Sequence, residues 1–412
     1  MQKFEKYSPV VVTEVTTKHE LRQFMQYPNR LYADNPNYIP SFYGDDLSDW
    51  TPGKNPAFDY CEARCWLAWR DGEIVGRIGA ILSHKANDKF GTHRMRFSQV
   101  DFVDDSEVSA ALFGTVERWA RQKGCDQVHG PLGFTDMDRE GMLVEGFDRR
   151  SLFITNYNAP YYPEHLTRLG YRKDVDWIEY RISVPAPGSA EAERLHKLSE
   201  FILKRKHLHV ATLHHKSEYG PFVRQVFELV NAAYAPLYGV VELSDEQIER
   251  YANKFIPLVD PDFVCFVLDE QDKLVAFGVT TLDPSPALKH SDGRLFPFGW
   301  AEVLNDLHHG DTLIMLLTAV RPDLQTEGIN AVMMDHVCQS CNRHGVQFAE
   351  TGPMLELNDH ILAQWKRLEK EQHKRRRCFI KDLDHGINAA NAAAAAPVSY
   401  THLRAHETDS YL

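Results

Sequence analysis

Cysteine is scarce in this chain, and no apolar stretch approaches the length of a membrane span. Seven cysteines are scattered over 412 residues, without the even number and regular spacing of a disulfide-stabilised secreted domain. The first ten residues, MQKFEKYSPV, lack the apolar segment of a secretory signal peptide. We therefore expect a cytoplasmic protein with free thiols, and peripheral contact with a membrane stays open.

A surplus of positive charge is also missing. The 58 acidic residues outnumber the 46 lysines and arginines, which gives a formal net charge of -12. We expect no nucleic-acid partner for a chain of this balance. Cys338 and Cys341 form a C-x-x-C pair, but no second pair stands at the spacing of a zinc site. The sequence therefore predicts no metal site.

The composition that remains is that of a globular protein, with 43% hydrophobic and 25% charged residues, and the length suits two domains. The stretch PAPGSA (185–190) is the best linker signal, because small and turn-forming residues separate two patterned regions. We place the first domain at residues 1–185 and the second at 191–385. An alanine tract and aperiodic polar sequence follow, and we interpret residues 386–412 as a disordered or artefactual tail.

The two halves repeat one order of elements: hairpin, strand, helix, short strand, helix and last strand. In the first half the hairpin turns at Asp71 and Gly72, a strong hairpin signal. Five successive elements agree in pattern, which favours duplication of one unit. The matching segments are hairpins 65–81 and 263–282, strands 96–103 and 313–320, helices 106–123 and 328–344, short strands 126–131 and 346–353, and last strands 177–182 and 378–383.

A turn with a single glycine follows the strand at 313–320 and reads VRPDLQTEGINAVM (320–333). The start of a helix exposes unpartnered backbone N–H groups and the positive end of the helix dipole. Gly328 leaves room there for a phosphate group, although Glu327 would repel it unless its side chain points to solvent. The alternative is an ordinary loop with a helix-opening glycine.

The equivalent turn of the first half, at 103–107, differs in charge. Asp104, Asp105 and Glu107 surround this helix start, and Asp105 and Ser106 are residues that cap a helix themselves. Side-chain caps fill the positions that a phosphate would need. We therefore predict that the first half has lost cofactor binding and that it braces the second half and shapes an acceptor site.

The order of elements resembles the GNAT (Gcn5-related N-acetyltransferase) fold. The GNAT motif Q/R-x-x-G-x-G/A matches residues 325–330 at Gln325 and Gly328 and departs from it at Asn330. Residues 156–173, NYNAPYYPEHLTRLGYRK, and 364–381, QWKRLEKEQHKRRRCFIK, resemble segments of tandem, GNAT-like bacterial proteins. The resemblance implies an α/β fold with two tandem GNAT-like domains, each a mixed, mostly antiparallel sheet flanked by helices.

The same resemblance implies acetyl-CoA or a longer acyl-CoA as co-substrate. Coenzyme A would place its pyrophosphate at the glycine turn, and its pantetheine arm would pair with the preceding strand by strand addition. The predicted cofactor-binding residues are Ala319, Val320, Gln325, Thr326, Glu327, Gly328, Ile329 and Asn330. Relatives in this broad group are associated with fatty acylation of long-chain amines, which implies a small-molecule or lipid-like amine as acceptor.

Transfer of an acyl group from a thioester to an amine requires a neutral amine, a group that polarises the carbonyl, and a proton for the thiolate. GNAT enzymes often use a glutamate for the first task. Glu350, at the end of the strand facing the glycine turn, is our first choice as base, with Glu356 as its substitute and Asn358 as an orienting group. A solvated loop residue or a helix cap is the alternative for each of them.

Polar aromatic residues of the first half are candidates for the acceptor pocket. These are Tyr157, Asn158, Tyr161 and Tyr162, with a buried aromatic cluster as the alternative. Residues 297–308 predict a short amphipathic helix whose Trp300 could cover an acyl chain or could pack on the core. The run HKRRR (373–377) is interpreted as a solvated edge strand rather than a site for phosphates or lipid headgroups.

The function that these patterns favour is an acyl-CoA-dependent N-acyltransferase acting on an unidentified amine. A non-catalytic acyl-CoA sensor or scaffold is the first alternative, because Asn330 departs from the motif. An aminoacyl-tRNA-dependent peptidyl transferase is the second. The acidic composition and the lack of a long helical arm weigh against it.

Overall fold

The computed structural model describes residues 8–384, and the predicted tail at 386–412 lies outside them. The strands are β1 (Val11–Glu14), β2 (Cys61–Arg70), β3 (Glu73–Ser83), β4 (Arg94–Phe102), β5 (Gln127–Gly130), β6 (Met142–Glu145), β7 (Arg172–Ser183), β8 (His209–Val210), β9 (Val264–Leu268), β10 (Leu274–Leu282), β11 (Thr312–Val320), β12 (Phe348–Thr351), β13 (Met354–Leu355) and β14 (Lys370–Asp382). The helices are α1 (Lys18–Leu31), α2 (Tyr43–Asp49), α3 (His84–Phe90), α4 (Ser106–Gln122), α5 (Tyr162–Arg168), α6 (Ala190–Lys206), α7 (Gly220–Tyr234), α8 (Asp245–Phe255), α9 (Ser285–His290), α10 (Gly299–His309), α11 (Asn330–His344) and α12 (Asp359–Ala363).

Local sequence signals account for most of these boundaries. The hairpin β2–β3 turns at Asp71 and Gly72, whose φ angles of 51° and 82° suit an aspartate-glycine turn. Thr17 and Glu20 form a capping box at the start of α1. Helix α11 ends at Gly345, which adopts the left-handed conformation that favours glycine. The predicted hairpins and helices are therefore confirmed, although α11 begins two residues later than predicted, at Asn330.

The strands form one continuous sheet that passes through both halves. Its order is β1-β2-β3-β4-β5-β14-β7-β12-β11-β10-β9-β8, with β6 beside β14 and β13 beside β7. In each half an antiparallel set ends in a parallel pair, which is β4–β5 in the first half and β11–β12 in the second. The sheet is thus mixed and mostly antiparallel, as predicted.

The last strand of each half pairs with the other half. Strand β14 lies between β5 and β7, with Phe379 opposite Gly130, and β7 pairs on its other side with β12, with Ile182 opposite Ala349. Each half therefore completes its sheet with a strand from its partner. The boundary at 185–190, which falls between β7 and α6, stays a prediction.

The interpretation of HKRRR as a solvated edge strand is wrong. These residues lie in β14, which has neighbours on both sides. The side chains of Lys374 and Arg376 are buried, with exposures of 1% and 0%. The sequence suggested an edge because a run of cations is costly to bury. Partner carboxylates from distant strands, such as Glu179 on β7, remove that cost.

Helices cover both faces of the sheet. Helix α4 packs on strands β2, β3 and β4 of the first half, and α11 packs mainly on β9 and β10 of the second. Helices α7 and α8 form another buried cluster with β9 and β10. Helices α9 and α10 cover the opposite face of β11 from α11, through Ile314. No helix within residues 8–384 is both long and apolar enough to cross a membrane.

Candidate functional site

Strands β11 and β12 separate partway along their length. They pair from Thr312 with Phe348 to Met315 with Thr351, and β11 then continues alone on that side to Val320. At the same place the register against β10 shifts, so that Leu316 is an extra, bulged residue. A bulge leaves backbone groups unpaired and bends the strand. The second half therefore contains a wedge-shaped opening in the sheet with backbone groups on its edge.

The turn at the end of β11 leads from this opening to the start of α11. Gly328 has a φ of 79°, where a side chain would be strained. Among residues 8–384, none accepts a hydrogen bond from the backbone N–H groups of Gly328, Ile329 or Asn330. Three free N–H groups at a helix start can bind an anion, and the assignment of a phosphate to this turn stays a prediction.

The side chains around this turn remove the objection raised by Glu327. Lys206, from the end of α6, lies 2.5 Å from the Glu327 carboxylate, and this hydrogen bond lowers the pKa of Glu327. Gln325 donates from its Nε2 to the backbone oxygen of Val320 at 3.3 Å, and Thr326 is exposed. Lys206 of α6 thus lies at the turn and balances the charge of Glu327, a contact that the motif itself did not reveal.

An apolar cleft runs from the turn along α11. It encloses about 170 Å³ and extends from Asn330 to Cys341, about 16 Å at the rise of an α-helix. Apolar side chains and two thiols line most of it, including Met315, Met333, Met334, Val337, Cys341 and Trp365. The predicted contacts Ala319, Val320 and Ile329 are instead buried in packing clusters, outside this lining.

Glu350 lies beside the opening, on the opposite face of the sheet from the cleft. Its register partner is Ile314, whereas its neighbours Ala349 and Thr351 line the cleft. Burial raises the pKa of Glu350 above its usual value, and Lys374 opposes that shift. The Glu350 carboxylate lies 3.2 Å from Lys374 Nζ. A carboxylate with a raised pKa next to an opening in the sheet is suited to accept a proton.

The other two predicted catalytic residues lie in different surroundings. Glu356 forms ion pairs with Lys173 at 2.8 Å and Arg375 at 2.5 Å, and hydrogen bonds from these two cations lower its pKa. Asn358 caps α12 by accepting a hydrogen bond from the Ile361 backbone at 3.3 Å. The structure gives both of them a structural contact, and their catalytic roles stay predictions.

The first half has the same opening, and its own side chains fill it. Strand β4 leaves β5 after Arg96, and its bulge contains Gln99, at the position equivalent to Leu316. Tyr162 Oη accepts a hydrogen bond from Phe102 N at 2.7 Å, and Tyr161 Oη donates to Phe102 O at 2.5 Å. These two hydroxyl groups thus form hydrogen bonds with the backbone N–H and C=O of Phe102, groups with which a pantetheine arm would otherwise pair.

The first-half helix start is also satisfied internally. Asp105 accepts hydrogen bonds from the backbone N–H groups of Glu107 at 2.8 Å and Val108 at 3.4 Å. Arg70 lies 2.5 Å from Asp105 and 2.7 Å from Glu107. Asp105 thus caps the helix as predicted, and the loss of cofactor binding in the first half stays a prediction.

The remaining predicted substrate contacts do not meet in one pocket. Tyr157 and Asn158 line a polar cavity of about 40 Å³ in the first half, enough for a few waters. Asn158 bonds to both backbone groups of Leu143. Trp300 is 48% exposed on α10 and donates to Pro297 O at 3.1 Å. Their roles in substrate binding stay predictions.

One group of side chains in the described range has the spacing of metal ligands. It consists of His129, Asp174 and Cys378, whose ligand atoms lie within 4.8 Å of one another. The Tyr238 hydroxyl lies among them, 2.9 Å from His129 Nδ1, and donates to Asp174 at 2.6 Å. Hydrogen bonds account for this arrangement, and the expected absence of a metal stays a prediction.

The sequence did not reveal that His373 and Lys374 lie near Glu350, because the run HKRRR was interpreted as a solvated edge strand. His373 Nε2 and Lys374 Nζ approach Glu350 Oε2 at 3.7 Å and 3.2 Å. The available signal was the unusual density of cations directly before the apolar residues Cys378, Phe379 and Ile380. The placement of His373 and Lys374 depends on the strand exchange, which sequence pattern alone does not predict.

Comparison with known proteins agrees with this architecture. A scan against models of protein families finds none that matches. Two curated proteins are similar over most of the chain: "Protein YghO" of Escherichia coli K12, 27% identical over 90% of this chain and 95% of its own length, and "Bacterial ceramide synthase" of Caulobacter vibrioides, 28% identical over 71% of this chain and 75% of its own.

A tandem GNAT protein from the clavulanic acid biosynthesis pathway superposes with a TM-score of 0.52 at 13% identity, covering 91% of this chain and 99% of that one. At such an identity the likeness shows the fold alone. The predicted tandem GNAT fold is confirmed.

Proposed function

We propose that this chain, which has the tandem GNAT fold, is an acyl-CoA-dependent N-acyltransferase with one active site, in its second half. The observation that carries the proposal is the continuity of three features. The anion-binding turn at Gly328, the unpaired edge of β11 and the apolar cleft follow one another without interruption. Pyrophosphate, pantetheine and acyl chain follow one another in acyl-CoA in the same order.

The residues present fit coenzyme A. The N–H groups of Gly328, Ile329 and Asn330 would hold the pyrophosphate, with Lys206 as a nearby cation. Backbone groups of residues 316–320 would pair with the pantetheine amides, as an added strand does. The bulge leaves Leu316 without a register partner on β10, and its backbone N–H would donate to the thioester oxygen and polarise the carbonyl.

Glu350 would accept the proton of the acceptor ammonium. The N–H bond breaks as the carboxylate O–H bond forms, and the freed nitrogen lone pair attacks the thioester carbon. The C–S bond then breaks, and the thiolate leaves with a proton from the attacking nitrogen, conveyed through water. The opening between β11 and β12, in which the thioester would lie, is open to both faces of the sheet. The acceptor amine would therefore approach the thioester from the face on which Glu350 lies.

The cleft favours an acyl chain longer than acetyl. Its lining is mostly apolar and continues along α11 to Cys341 and Trp365, well beyond the turn that would hold the pyrophosphate. Burial of each methylene contributes about 0.8 kcal/mol, so a chain that fills the cleft binds more tightly than an acetyl group. Burial raises the pKa of Cys341 to about 12, so this thiol stays protonated and forms part of an apolar wall.

We infer that the acceptor is a lipid-like amine reached at a membrane surface. The segment before and within α10 exposes large apolar side chains, namely Leu295 (36%), Phe296 (82%), Phe298 (75%), Trp300 (48%) and Leu304 (42%). The other face of α10 packs over Ile314, the register partner of Glu350. The exposed patch therefore lies on the side from which the acceptor would enter, and aromatic patches of this kind suit a bilayer interface.

Vesicle flotation tests the membrane contact. The wild-type protein should float with phosphatidylcholine–phosphatidylglycerol vesicles, and Phe296→Ser/Phe298→Ser should stay in the soluble fraction with an unchanged melting temperature. Equal flotation of both proteins, or a dimer that the double variant disrupts, would remove the membrane from the proposal.

The chain would act in the cytoplasm, a proposal supported by its seven free cysteines.

Thiol release tests the reaction. Acyl-CoA substrates from acetyl to palmitoyl are combined with sphingoid bases and polyamines, and free thiol is measured. We expect amine-dependent release that rises with acyl length. If coenzyme A binds and no amine in the screen releases thiol, the acyl-CoA sensor is the better description, and the ion pair between Glu350 and Lys374 would then be structural.

A further inference from the structure

Strand β14 contains a bulge beside Glu350. Its register against β7 shifts between Gln372 and Lys374, so His373 is an extra residue. His373 Nε2 and Lys374 Nζ consequently reach the same oxygen, Glu350 Oε2, at 3.7 Å and 3.2 Å. Consecutive residues of a regular strand point to opposite faces, whereas a bulge redirects them. The bulge therefore brings two β14 residues to one carboxylate.

Lys374 is the cation that acts on this carboxylate. Its side chain is 1% exposed, and its other neighbour is Glu179, at 3.6 Å. Glu179 already pairs with Arg376, at 2.5 Å. Arg376 thus largely compensates the charge of Glu179, and the ammonium group of Lys374 is left to pair with Glu350. A buried ammonium requires such a partner, because an isolated charge is costly to bury.

The other groups around Glu350 do not take this role. Burial, followed by the charge of Lys374, lowers the pKa of His373 to about 3, so this imidazole is neutral. Asp283, after β10, is an acidic residue and pairs with Arg150 at 2.5 Å. Arg181, the register partner of Glu350, stacks on the ring of Phe348, 3.8 Å from its centroid. Within residues 8–384, Lys374 and His373 are the basic groups that reach Glu350 within 4.0 Å.

We propose that Lys374 is a positioning residue that keeps Glu350 ionised and oriented beside the opening between β11 and β12. The proposal rests on the proposed function, in which Glu350 is the base. Only the ionised carboxylate can accept the ammonium proton. The last strand, exchanged from one half to the other, thereby supplies the charge that the base requires.

The pH dependence of the reaction tests this role. An opposite charge at this distance lowers the pKa of a carboxyl by about 1–3 units. In Lys374→Met the pKa of Glu350 should rise by that amount, so the acid limb of kcat/KM should move to higher pH by about 1–3 units. Lys374→Arg should restore the wild-type position. Lys381→Met removes a lysine of the same strand that pairs with Glu117 at 2.7 Å, and it should leave the limb unchanged.

A second readout does not require turnover. The protein is labelled with ¹³C at glutamate carboxyl carbons, and Glu350→Gln assigns the Glu350 resonance. Its titration midpoint should rise in Lys374→Met, or in Lys374→Gln if the methionine variant does not fold. An unchanged midpoint in a folded variant overturns the proposal. A shifted midpoint in a protein that acylates no amine would leave Lys374 as the partner of Glu350 and reject the proposed function instead.

Discussion

Replacing Asn330 by aspartate changes the side-chain amide that directly follows the glycine turn into a carboxylate of nearly the same shape. Asn330 is the first residue of α11 and lines the cleft. The first turn of this helix contains no acidic residue, so an aspartate there should stabilise the helix through its dipole, by about 0.3–1 kcal/mol. The same carboxylate should repel a pyrophosphate. Protein stability and ligand affinity are thus predicted to change in opposite directions.

The size of the repulsion follows from Coulomb's law. Two unit charges 4 Å apart interact by about 4 kcal/mol at an effective dielectric constant of 20. Residues 325–328 of the turn are exposed, and solvent and salt weaken the interaction. We therefore expect a loss of about 1.4–2.8 kcal/mol, which corresponds to an affinity for coenzyme A about 10- to 100-fold weaker.

Calorimetric titration with coenzyme A measures this loss, and thermal unfolding measures the stability. Pantetheine, which lacks the phosphates, should bind both proteins equally. Asn253→Asp places the same charge at an exposed position of α8 and should change the affinity for neither ligand. If Asn330→Asp binds coenzyme A as tightly as the wild type does, the pyrophosphate does not lie at this turn. A parallel loss of pantetheine binding would point to distortion of the cleft rather than to charge.

Four further predictions concern the same architecture. Glu350→Gln should lower kcat by about 10²–10⁴-fold and leave the Kd for acyl-CoA unchanged. Its activity should recover partly at higher pH, where more of the acceptor amine is neutral. Near wild-type turnover would exclude Glu350 as the base. Because Asp105, Tyr161 and Tyr162 fill the first-half site, titration should give one coenzyme A per chain, and a stoichiometry of two would contradict that reading. Val337→Phe should shift the preferred acyl chain to shorter lengths, since Val337 lines the cleft; an unchanged chain-length profile in the thiol-release assay would place the acyl chain elsewhere. Glu179→Gln should lower the free energy of unfolding by about 3–5 kcal/mol, because it leaves buried Arg376 without its carboxylate partner. Denaturant titration measures this loss. A loss of less than about 1 kcal/mol would show that this ion pair does not hold the exchanged strands together.

Local pattern was sufficient to predict much of this fold. The hairpin at Asp71 and Gly72 depends on turn chemistry, and the helix end at Gly345 depends on the left-handed conformation of glycine. The turn at Gly328 was recognisable because only a few residue types leave backbone N–H groups accessible at a helix start. These signals act over a few residues, so a single sequence contains them in full.

The strand exchange was not predictable in this way. Strands β7 and β14 are each compatible with either half by pattern, and their pairing depends on contacts between distant residues. Asp176 on β7, for example, accepts hydrogen bonds from Arg375 and Arg377 on β14, at 3.0 Å and 2.8 Å. The same limitation explains why HKRRR was assigned to an edge, and why Lys374 was missed beside Glu350. A residue's charge is visible in the sequence, whereas its partner is a property of the assembled sheet.

A crystal soaked with a long-chain acyl-CoA would show directly whether the second half holds the acyl-CoA site. We predict one ligand per chain, with its pyrophosphate against the N–H groups of Gly328, Ile329 and Asn330. Its thioester should lie in the opening beyond Met315 and Thr351, with the acyl chain in the cleft along α11. Ligand density between β4 and β5 of the first half, or an acyl chain outside the cleft, would show that the site is not the one proposed.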